Sequence, residues 1–133
     1  MYPTGYASAK GREMAKKIGL IVTHAGDDAE RATLPFMIAT VALTMEVEPF
    51  VVLHGEGVRL AVKEQAEAVL ADGLSPVDSL MQSVLDAGHS MMVCSPCLAT
   101  RGISEDELRE GCYVGGAAKI VEAMLECENF LTY

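Results

Sequence analysis

Short apolar runs, set apart by longer segments of helical period, constrain this chain more than any other feature. KKIGLIVTH (16–24), PFVVLHG (49–55) and SMMVC (90–94) suit strands buried on both faces, as parallel strands are. Residues 29–46 suit a helix with Asp27 or Asp28 as its N-cap, and Pro35 implies either a kink or a later start. Pro49 is tolerable at the first position of the second strand. Val58 to Lys63 reads as a helical turn or two, with a weakly patterned continuation to Ala71. Ser75-Pro76-Val77-Asp78 is a helix start with Ser at the N-cap, Pro at the first turn and an acid at the third position. Val77, Leu80, Met81, Val84 and Leu85 then form one apolar stripe, and Gly88 stops the helix. Ser104 and Glu107 form a capping box for a short helix ending at Gly111. Gly115 or Gly116 precedes a last helix to about Glu126, with Ile120, Val121, Met124 and Leu125 as its buried face, and NFLTY is the final strand. This alternation predicts a single α/β domain over residues 17–133: an open, mainly parallel sheet of about five strands with helices on both faces. Residues 1–16 lack apolar patterning and read as a flexible leader.

Charge narrows the range of partners. The net charge is -9, yet residues 1–17 carry Lys10, Arg12, Lys16 and Lys17 against Glu13, a sum of +3 that leaves -12 for the remainder. A body so acidic repels a phosphate backbone, which argues against nucleic acid. No apolar run approaches the roughly 20 residues that span a bilayer, and the opening residues have no apolar core of a secretory signal. A cytoplasmic protein without membrane association is expected, in a compartment where structural disulfides are rare. Cys94, Cys97, Cys112 and Cys127 are then thiols or ligands rather than staples, with Cys112 and Cys127 most simply core residues.

Three strands end in a side chain with chemistry: His24, His54 and Cys94. In a parallel sheet all carboxyl ends share one edge, and open α/β sheets place their ligand sites there. The expectation is that His24, His54 and Cys94 converge; the competing reading is that the two histidines merely face solvent. Beyond Cys94, free backbone N–H groups and the nearby Arg101 would favour thiolate, whereas a buried Cys94 would be a small hydrophobe. Cys94, Cys97, His24 and His54 would make a Cys2His2 set for zinc, but a Cys-x-x-Cys without a second pair is a weak metal signal, so no metal and no cofactor is expected. A thioredoxin-like centre opens a helix, whereas Pro96 and the Ser104 cap point to a longer loop here. GCYVGG (111–116) lacks the features of a phosphate-binding loop, and Glu56 in HGEGV reads as a solvated loop acid.

The segments IVTHAGDDAERAT, VVLHGEGV, VCSPCLATRGI and GGAAKIVEAMLECENFLTY, in this order, cover nearly all of Lys17 to Tyr133. With them the chain resembles the DsrE/DsrF family of small sulfur-relay proteins. The resemblance implies a parallel α/β sheet, assembly into homotrimers or hexamers, and a cysteine that carries sulfur as a persulfide between a protein donor and a protein acceptor. The family's carrier cysteine ends a strand ahead of an Arg-Gly pair, which maps that role to Cys94 and the loop position to Arg101 and Gly102. Cys97 is then a neighbouring thiol that could resolve the persulfide. A non-catalytic oligomeric scaffold, or a module binding a small ligand or metal at the same edge, is the alternative.

Overall fold

The computed structural model describes residues 16–133; the leader expected over 1–16 therefore lies almost wholly outside the described residues. Five strands, all parallel, form one sheet: β1 (Lys17–Val22), β2 (Glu48–Leu53), β3 (Met91–Cys94), β4 (Cys112–Gly115) and β5 (Asn129–Thr132). Their order is β4-β3-β2-β1-β5. The chain steps outward from β1 to β4, then returns to add β5 on the far side of β1. The helices are α1 (Ala29–Thr44), α2 (Val77–Asp86), α3 (Ser95–Thr100) and α4 (Ala117–Glu126), with single turns of 3-10 helix at Ala66–Ala68 and Glu105–Glu107 and a longer one at Gly55–Ala61.

Right-handed crossovers put α1 and α2 on one face and the returning α4 on the other. The main core lies on the first face. Leu20, Val22, Val51, Leu53, Met91 and Val93 of the sheet meet Phe36 and Ala39 of α1 and Val77, Met81 and Val84 of α2. Each fully buried side chain of this size contributes about 1.5–3 kcal/mol. Asp28 caps α1 by accepting the Arg31 N–H at 3.1 Å, and Pro35 is carried inside the helix, buried, so the helix starts early and absorbs the missing hydrogen bond. The first helical residue of α2 is Val77, one residue later than expected; Pro76 takes the N-cap place and makes no side-chain cap.

On the second face, Gly19 stands in register with Phe50 on one side and Phe130 on the other. A Cβ at Gly19 would lie 2.2 Å from the Phe130 ring, so the two rings, 6.4 Å apart, close over a position only glycine fills.

Four expectations are corrected. The stretch before Gly116 holds the edge strand β4, hidden in sequence by its four-residue length and flanking glycines, and the Ser104–Glu107 box caps one 3-10 turn rather than a helix to Gly111. The expected buried face of α4 is largely bare: Leu125 is 84% exposed, Val121 and Met124 are also exposed, and Ile120 is half-buried. Periodicity reports a stripe, and α4 turns only part of that stripe towards the sheet. Cys112 is half-buried and packs against the core, whereas Cys127 is half-buried and not among the side chains packed against it.

Candidate thiol site at the carboxyl edge of the sheet

β3 is buried at all four positions and ends on Cys94, which is 6% exposed. Helix α3 begins at the very next residue, with Pro96 in its first turn, where a missing N–H costs nothing. The loop expected after Cys94 is thus a helix, and the Cys-x-x-Cys does open it, which removes the ground on which a redox arrangement was set aside. One turn along, Cys97 is half-buried and its Sγ accepts the Gly55 N–H at 3.2 Å.

Gly55 directly follows His54, the first residue after β2. β2 and β3 are neighbours, with Leu53 in register with Val93, so His54 is delivered to the same place. Among the described residues, one ligating atom each of His54, Cys94 and Cys97 lies within 4.8 Å of the others. Cys94, Cys97 and His54 are therefore brought together. His24 is not. It sits at the same edge one strand over, but its Nδ1 is 2.7 Å from Asp27 Oδ2, and Asp27 Oδ1 accepts the Ala25 N–H at 2.8 Å. Burial opposes charge on Asp27, yet the Ala25 N–H and the His24 ring together hold its carboxyl below the usual value.

Arg101 is placed against the site through its backbone neighbours rather than through sulfur. Its Nη1 donates to the Cys97 carbonyl at 3.1 Å, and its Nε donates to Glu56 Oε2 at 2.6 Å. Glu56 also accepts from Arg59 Nε at 2.7 Å, and the Arg101 and Arg59 guanidiniums hold its carboxyl below the ordinary range. Glu56 is therefore no free loop acid but a clamp between two arginines, tying the loop after β2 to the end of α3. The signal for this was present in the sequence as a glutamate between two glycines at a strand end.

Electrostatically the Cys94 thiol departs from expectation. Burial pushes it above the ordinary 9.0, and the Cys97 thiol acts in the same direction; the Cys97 N–H and the Arg101 charge oppose this without reversing it. The Arg101 charge is the smallest of these influences, and burial outweighs it. A cleft of about 420 Å3 opens between the loops after β1 and β2, with Gly26, Asp27, Glu56, Arg59 and Gln65 on its walls; none of the three convergent side chains lines it.

This chain belongs to the DsrE/DsrF-like family, whose profile matches residues 16–133. It is 29% identical over 117 residues to the uncharacterized protein MJ0989 of Methanocaldococcus jannaschii, covering 88% of this chain and 99% of that one. It is 34% identical over 98 residues to the uncharacterized protein MJ0760 of the same organism, covering 74% of this chain but 36% of MJ0760. Among solved structures, ychN from E. coli superposes with a TM-score of 0.71 at 17% identity, and MTH1491 from Methanobacterium thermoautotrophicum with 0.70 at 20%. Each superposition covers 89% of this chain and 99% of the other, and both show the same fold. Family membership suggests a function of sulfur-relay type. Among the described residues no helix is long and apolar enough to cross a membrane.

Proposed function

We propose that the protein carries sulfane sulfur as a persulfide on Cys94 and hands it to an acceptor thiol, in a reducing cytoplasm. The observation that carries this reading is the convergence of two thiols and an imidazole within 4.8 Å at the carboxyl ends of adjacent parallel strands. Sulfur transfer of this kind is nucleophilic exchange. His54 takes the Cys94 proton, and the thiolate attacks the outer sulfur of a donor persulfide. Cys94–S–SH forms and the donor leaves as its thiolate. An acceptor thiolate then attacks the same outer sulfur and regenerates Cys94. Each step moves one sulfur atom with no net oxidation. The raised Cys94 thiol makes His54 a necessary partner, since little thiolate is present unaided at neutral pH. Cys97, the more accessible thiol, is placed to resolve a stalled persulfide.

The working form is a homotrimer or hexamer. Val41 on α1, Met45 just after it, and Val121, Met124 and Leu125 on α4 are large apolar side chains left exposed by a single copy, and apolar surface of that kind marks a partner face. Light scattering should give the mass of three or six chains; a monomer at micromolar concentration would remove this part of the reading.

The same raised thiol favours a second reading, a non-catalytic scaffold that binds a small ligand in the cleft between the loops after β1 and β2. Intact mass separates the two. After incubation with polysulfide, the wild type should gain one or more sulfur atoms, removable by reductant, and Cys94→Ser should gain none while remaining folded. An unmodified wild type would leave the scaffold standing.

A further inference from the structure

We propose that His54, Cys94 and Cys97 bind one thiophilic divalent ion, zinc being the natural occupant, with a fourth coordination position left open.

Geometry comes first. Metal–ligand lengths of about 2.0–2.3 Å in a tetrahedral site put ligand atoms about 3.3–3.8 Å apart. The three donor atoms already stand within 4.8 Å of one another, so rotations of side chains that shift each atom by about 1 Å close the site with no change of backbone. Chemistry comes second. Two thiolates and an imidazole are the donors that zinc selects, and the same set is a poor match for magnesium or calcium, which require oxygen. The nearest carboxylate on this edge, Glu56, is already held by Arg59 and Arg101. Charge comes third. Binding releases the two thiol protons to solvent, and two thiolates offset the dication, so the occupied site is neutral in a partly buried place.

Support around the donors is also present. The Gly55 N–H holds Cys97 Sγ at 3.2 Å, the kind of hydrogen bond that orients a ligand sulfur. The ligands sit just after β2, at the end of β3 and on α3, fixed by the sheet register rather than by one loop. His24, the other histidine of this edge, is engaged by Asp27, so the described residues supply three ligands. The open position is where an exogenous sulfur or water would sit. An ion there caps both thiols and blocks sulfur loading; this consequence, unlike the site itself, rests on the relay reading.

Cobalt titration of the full chain, reduced and metal-free, tests the site directly. One equivalent of Co2+ should bind and give tetrahedral visible bands with thiolate-to-cobalt charge transfer in the near ultraviolet, all displaced by Zn2+. Cys97→Ser and Cys94→Ser should each lose about half of the charge-transfer intensity, and His54→Ala should weaken binding at least about 10-fold while both thiolates still ligate. If Cys94→Ser does not fold, the half-exposed Cys97 position decides alone. Absence of binding at one equivalent, or an unaltered spectrum in Cys97→Ser and His54→Ala, overturns the site. Zinc-loaded protein should gain no sulfur from polysulfide until a chelator is added. A chain that binds zinc yet never gains sulfur when metal-free refutes the relay and leaves the site; one that gains sulfur but binds no metal refutes the site alone.

Discussion

The loops after β1 and β2 begin alike, each with a histidine at the end of a buried parallel strand, and they end in different places. After β1, His24 turns onto Asp27 three residues on, and Gly26 has nothing within 4 Å of where a Cβ would stand. After β2, the backbone is pressed against the end of its neighbour: a Cβ at Gly57 would lie 2.0 Å from the Val22 carbonyl oxygen, and Gly55 adopts φ +54 to make the turn. The open loop satisfies its histidine locally. The compressed loop delivers its histidine to the next strand, where the thiols are. A shared sheet edge therefore does not make a shared site; strand order sets which strand ends are neighbours, and the loop after β1 satisfies its histidine locally.

The largest expected effect breaks the compressed loop. Gly57→Ala should destabilise the fold by about 3 kcal/mol, because the clash is with backbone that cannot move aside. Gly26→Ala in the open loop should be tolerated within about 0.5 kcal/mol. Chemical denaturation compares the two, and equal losses would mean that the two loops are packed alike.

A smaller effect sharpens the electrostatic side. Glu56→Gln removes the carboxylate shared by Arg59 and Arg101 and should cost about 1 kcal/mol at pH 7, modest because the pairs are partly exposed. The folded carboxyl lies below its ordinary 4.5, so its contribution is complete above that value and is lost as pH falls through the folded value. The gap between wild type and Glu56→Gln should therefore narrow on acidification below pH 4.5 and stay constant above pH 6. A gap that widened in acid would reverse the assignment. Smallest of all, His24→Gln should leave sulfur loading unchanged, since the His24 ring is turned onto Asp27. A variant that failed to load would return His24 to the site.

Much of this was legible in the chain, for identifiable reasons. β1, β2 and β3 are continuous apolar runs because both their faces are covered, and their terminal polar residues fall at one edge by the geometry of parallel sheets. Cys94 and Cys97 were legible as a pair. The selection of His54 over His24 was not, because it depends on β2 lying beside β3 with β1 one strand further away, a strand order that has no local signature. Arg101 was legible as a neighbour but not as a residue paired with Glu56. The stripe on α4 was legible as apolar, whereas its exposure follows from how little of that helix the sheet covers.

The central claim is that sulfur is carried at this edge and nowhere else, and peptide mapping of the sulfur-loaded protein tests it most directly. Tryptic cleavage leaves Cys94 and Cys97 together in residues 64–101, Cys112 in 110–119 and Cys127 in 120–133. Burial pushes the Cys112 thiol up to about 11, so at pH 7.5 it offers far less thiolate than an ordinary thiol, and burial also raises Cys127. The added sulfur should be found on the 64–101 peptide, assigned by fragmentation to Cys94. Sulfur confined to the 110–119 or 120–133 peptide, with 64–101 unmodified, would contradict it.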